Sequence, residues 1–71
     1  MAKATIIDTT SGETICERME GWGITDALVN HFCDDRTPCE VYDACCACGD
    51  AYMAGEPTDG YESFLGIEIT D

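Results

Sequence analysis

The stretch Thr37–Gly55, TPCEVYDACCACGDAYMAG, constrains this chain more than any other, because it reads as one helix with both ends marked. Thr37 suits the cap, Pro38 the first helical position, and Glu40 completes a capping box. Gly55 suits the left-handed residue after the last turn, and Pro57 blocks continuation. On a helical projection Val41, Tyr42, Cys45, Cys48, Gly49 and Tyr52 form one broad stripe, the expected core face. Ala44, Ala47, Ala51 and Ala54 form a second stripe. Helix propensity alone accounts for such alanines, and so does the close approach of another helix. Glu40, Asp43 and Asp50 occupy the remaining side, with no basic residue to balance them.

At 71 residues the chain makes one domain, 1–71, of a size that buries only about 60% of its unfolded surface. The 45% apolar content separates it from disordered acidic chains. No run of apolar residues is long enough to span a membrane, and the first ten residues lack the apolar stretch of a signal peptide. The expectation is a cytoplasmic protein, and in that compartment its six cysteines are reduced by default.

Around the helix, Ala4–Asp8 and Glu13–Glu20 read as strands joined by a hairpin loop at Thr9-Thr10-Ser11-Gly12. Ile6 and Ile15 are expected on one face, with Thr5, Ile7, Cys16 and Arg18 on the other. Trp22, between two glycines, is expected to fold over the edge of the core. Thr25 is the expected cap of a shorter helix, Asp26 to Asp35, with Ile24, Leu28, Val29 and Phe32 as its apolar stripe. Glu56 to Gly60 reads as a loop. Tyr61 to Thr70 reads as a third strand, with Leu65, Ile67 and Ile69 facing the core. The expected fold is α+β: a three-stranded antiparallel sheet with two helices, in the order β-β-α-α-β. The two helices cover one face of the sheet, or opposite faces if the strands are apolar on both sides.

Candidate chemistry is sparse. His31, Cys33, Cys39, Cys45, Cys46 and Cys48 invite a zinc reading, but their spacing matches no zinc-finger pattern, and Cys45 and Cys48 fall on the core stripe. A zinc or redox adaptor module is the alternative reading. His31, the only histidine, lies off the apolar stripe of its helix and is expected to be solvated. No motif pairs a nucleophile with a base, so the expectation is a non-enzyme with no catalytic residue, no metal and no cofactor.

Charge carries the remaining signal. Fifteen acids against Lys3, Arg18 and Arg36 give −12, and no Lys or Arg follows Arg36. A field of this sign disfavours nucleic acid and anionic membranes as partners and suits a basic surface. It also opposes self-association, so a monomer is expected. The candidate partner-binding residues are Asp34, Asp35, Glu40, Asp43, Asp50, Glu56, Asp59 and Glu62, which flank or continue the long helix. DNA carries about one negative charge per 1.7 Å of axis, so a groove built to grip it also grips a rigid row of carboxylates.

In size, charge and mixed α/β order the whole chain resembles the small acidic inhibitors encoded by phages and mobile elements, among them the DNA-mimicking anti-CRISPR proteins. That resemblance implies an inhibitor that occupies the basic DNA-binding groove of a CRISPR effector in the bacterial host. The type I surveillance complex, Cascade, is favoured for its long basic DNA path. An anti-restriction protein or a uracil-glycosylase inhibitor shares the same outline.

Overall fold

The structure, a computed structural model, describes residues 3–70, so Met1, Ala2 and Asp71 lie outside the described residues. Its elements in chain order are β1 (Lys3–Asp8), β2 (Thr14–Glu20), a 3-10 turn (Gly21–Gly23), α1 (Ile24–Phe32), α2 (Cys39–Ala54), α3 (Asp59–Leu65) and β3 (Ile67–Thr70). The α+β expectation holds, with one helix more than the sequence reading placed.

β1 is the central strand of an antiparallel sheet ordered β2-β1-β3. Its alternation is that of a sheet covered on one face: Ala4, Ile6 and Asp8 are buried, while Thr5 and Ile7 are half-buried on the other side. β3 pairs in regular register, Ile6 opposite Ile69 and Asp8 opposite Ile67, which puts both isoleucines on the covered face. β2 pairs with two register shifts, and Arg18 takes a positive φ of 52° in the first of them. Each extra residue flips the side chains that follow it. Cys16, not Ile15, therefore stands opposite Ile6 and is buried, which corrects the strict alternation read from the sequence.

Ala4, Ile6, Cys16, Ile24, Leu28, Cys45, Cys48, Leu65 and Ile67 form one buried cluster, with all three helices on the covered face of the sheet. α1 and α2 meet where Gly49 faces Thr25. A methyl built on Gly49 would overlap the Thr25 hydroxyl and lie 3.1 Å from the Thr25 backbone nitrogen. Thr25 thus packs inside the first turn of α1 and does not cap it, and that helix ends at Phe32, short of Asp35. Trp22 does not cover the core edge: it stands 67% exposed on the 3-10 turn.

The end of α2 follows the sequence signal, and the start does not. Gly55 takes φ 75°, and the Gly55 and Glu56 amides donate to the Tyr52 and Ala51 carbonyls, closing the last turn. At the start the Thr37 side chain makes no cap. Its hydroxyl accepts from Asp34 N (2.7 Å) and lies 3.0 Å from Asp34 Oδ1, tying the preceding turn shut, and the helix begins at Cys39. Tyr42, placed on the core stripe by projection, is half exposed, whereas Cys45, Cys48 and Gly49 are buried as expected.

The added helix, α3, replaces the first half of the expected third strand. Thr58 Oγ1 donates to Glu62 Oε2 (2.7 Å) across its first turn, and Gly66 terminates it with φ 70°. β3 keeps only Ile67–Thr70.

Candidate functional site

The acids that suggested a binding surface fall in three groups along α2. The first is the α1–α2 turn. Asp34 Oδ1 accepts from Arg36 N (2.8 Å) and from the Thr37 hydroxyl (3.0 Å), and these bonds hold its carboxyl below the usual aspartate range. Its charge is therefore fixed in place, and Asp35 lies exposed beside it.

The second group is α2 itself. Glu40, Asp43 and Asp50 are all exposed. Glu40 sits in the first turn, where the helix dipole favours an anion. Asp50 lies toward the other end, whose last turn holds no basic residue. The 16 residues of α2 span about 24 Å, so these carboxylates hang on a rigid rod. The third group follows the helix. Glu56 and Asp59 are exposed on the rim of a shallow depression of about 430 Å³ beside Tyr52, Pro57 and Ile69.

Glu62 stands apart from the others. It is half-buried, accepting from the Thr58 hydroxyl through Oε2 and from the Ile69 amide (3.2 Å) through Oε1. Its carboxylate joins α3 to β3 and does not extend the open acidic face. Among the described residues the ion pairs are Lys3–Glu20 (3.6 Å) and Asp8–His31. Asp34, Asp35, Glu40, Asp43, Asp50, Glu56, Asp59 and Glu62 have no cationic partner there.

His31 is not solvated as its helix position suggested. Its Nε2 donates to Asp8 Oδ2 (2.9 Å), and its ring stands edge-on to Phe32. Asp8 Oδ1 in turn accepts from Thr10 N (2.8 Å) and Ser11 N (3.2 Å), closing the β1–β2 hairpin. The His31 hydrogen bond, opposed by desolvation, is the largest influence holding the Asp8 carboxyl below its ordinary range. The pair locks α1 to the hairpin. Among the described residues no Ser, Thr or Cys hydrogen-bonds to His31.

All six cysteines are free thiols, with Cys16, Cys45 and Cys48 buried. Burial pushes Cys45 up to about 12 and Cys48 up to about 11, so both are neutral packing groups, far from a reactive thiolate. Among the described residues no three Cys, His, Asp or Glu side chains converge as a metal cage.

Sequence reasoning missed the groove between α2 and α3. It holds about 410 Å³ between Ala44 and Ala47 of α2 and Gly60, Tyr61 and Phe64 of α3, with the exposed Glu40 and Asp43 on its rim. The alanine stripe is no continuous helix-packing seam: Ala44 and Ala47 line this open groove on its α2 side, while Ala51 is buried and Ala54 exposed. The signal for it lay in Thr58, Glu62 and Gly66, the two ends of a helix hidden under an alternating strand pattern.

Fold and surface together define a small acidic α+β protein whose longest helix exposes Glu40, Asp43 and Asp50, none of them ion-paired among the described residues. Comparison with family models, curated proteins and solved structures found no match to this chain. No helix among the described residues is long and apolar enough to cross a membrane.

Proposed function

We propose that this protein is an inhibitor that acts as a DNA mimic, blocking target-DNA binding by a bacterial complex that grips DNA with a basic groove. A CRISPR effector of the Cascade type is the first target to test. The inhibitor acts in the host cytoplasm as a monomer, without catalysis, metal or cofactor. The observation that carries this reading is the row of exposed carboxylates on α2 and its flanking turns, none of them paired with a cation among the described residues. A helix presents such charges at fixed spacing before binding, so little ordering entropy is lost on association. Asp50, toward the carbonyl end of α2, and the −12 total both cost stability, as expected of a surface kept for recognition.

The test is affinity capture of the partner from a bacterial host, followed by association kinetics over a range of salt. A Coulombic attraction weakens steeply as the Debye length falls to about 8 Å at 0.15 M. Reversing Asp43 and Asp50 together to Lys, both exposed, leaves the fold intact and lowers the association rate first. A rate indifferent to salt and to the double reversal removes the reading. The captured partner separates a CRISPR effector from a restriction enzyme or a uracil glycosylase.

A further inference from the structure

Resting on that reading of the acidic face, we propose that the groove between α2 and α3 receives a basic amphipathic helix of the protein partner. Two features of the groove select this occupant. Its interior is apolar and has been left open. Phe64 is 58% exposed on the wall, and a side chain built at Gly60 would meet nothing within 4 Å. Ala44 and Ala47 opposite carry only methyl groups, which leaves room for an apolar side chain from outside. Its rim is anionic, since Glu40 and Asp43 stand on the α2 side and no Lys or Arg follows Arg36 in the sequence.

A second copy of this chain would bring two such rims together and set like charges against each other, so it does not fit. A helix with a stripe of leucine-like residues and flanking Lys or Arg fits both features. Its apolar stripe enters between α2 and α3 in the helix-in-groove manner, and its cations reach the Glu40 and Asp43 carboxylates. Arginine stems also find the Phe64 and Tyr61 rings to lie against. The groove then supplies what a purely Coulombic surface lacks, an apolar anchor that slows dissociation.

The test uses the full chain and a fluorescent amphipathic peptide of Leu and Lys, with a shuffled peptide of the same composition whose leucines share no face. Binding is read by anisotropy. Ala47→Leu fills the groove and Phe64→Ser removes its wall, and neither changes the charge. Circular dichroism confirms that each variant keeps its helical signal. The expected result is preference for the amphipathic peptide and a loss of about tenfold or more in either groove variant, the scale of one buried anchor. Equal binding of the shuffled peptide, or unchanged affinity in both groove variants, overturns the groove proposal. If the Asp43→Lys/Asp50→Lys protein alone loses binding, the acidic-face reading stands without the groove. If that protein binds as well as wild type, the acidic-face reading itself falls.

Discussion

A methyl group added at Gly49 would be forced into Thr25. The Thr25 hydroxyl can rotate away, but the Thr25 backbone nitrogen, 3.1 Å from the added carbon, cannot. Gly49→Ala gains roughly 1 kcal/mol of helix propensity and overpacks the α1–α2 contact at a cost of about 1–3 kcal/mol. The expected outcome is a lower midpoint in denaturant titration, the reverse of what propensity alone predicts. Asp8 gives a second residue-scale prediction. Its carboxyl is held below the ordinary range by His31 and by the Thr10 and Ser11 amides. Its contribution to stability is present above the unfolded value near pH 4 and is lost as pH falls through the lower folded value. The melting-temperature gap between wild type and Asp8→Asn is therefore expected to be widest above about pH 4 and to close below it. Neither residue announced its role. Gly49 projected onto a core stripe with no mark of what it faces, and pairing Asp8 with His31 requires knowing that α1 crosses the end of β1.

At the scale of elements, α3 is held by Leu65 in the core and by the two hydrogen bonds of Glu62. Glu62→Ala leaves the Thr58 hydroxyl and the Ile69 amide without their acceptor. It is expected to cost about 1–2 kcal/mol by thermal unfolding, since both groups retain partial access to water. The same change is expected to leave partner binding nearly intact, because this carboxylate is turned inward. What was legible of the elements followed from local chemistry. Gly55 and Pro57 ended α2 where the sequence placed the end, the α1 stripe followed helical spacing, and the two hairpin strands stood in the expected segments although β2 did not keep the expected alternation. What was not legible involved competition between signals. Phe64 to Ile69 alternates like a strand, yet Thr58 and Glu62 bond one helical turn apart and Gly66 stops the helix, so the segment divides between two elements. Thr37 had the spacing of a capping box, but its hydroxyl was engaged by Asp34 before the helix began. The bulges in β2 depend on pairing with β1, which no single-strand pattern encodes.

At the scale of the whole molecule, three extents of 34 × 24 × 19 Å and a charge of −12 describe a small, strongly acidic body. The acidic residues were visible in the sequence. Their sorting into an exposed set along α2 and an internal one at Glu62 and Asp8 was not, because exposure is decided by packing. The central claim is that the exposed set takes the place of DNA, and the most direct measurement is the affinity of the captured target for its own DNA with this protein bound. The account predicts that the wild-type protein displaces DNA in proportion to its occupancy and that the Asp43→Lys/Asp50→Lys protein, equally folded, does not. A saturated complex that still binds its DNA with full affinity would contradict it and would place the acidic face against a basic protein patch that serves a later step.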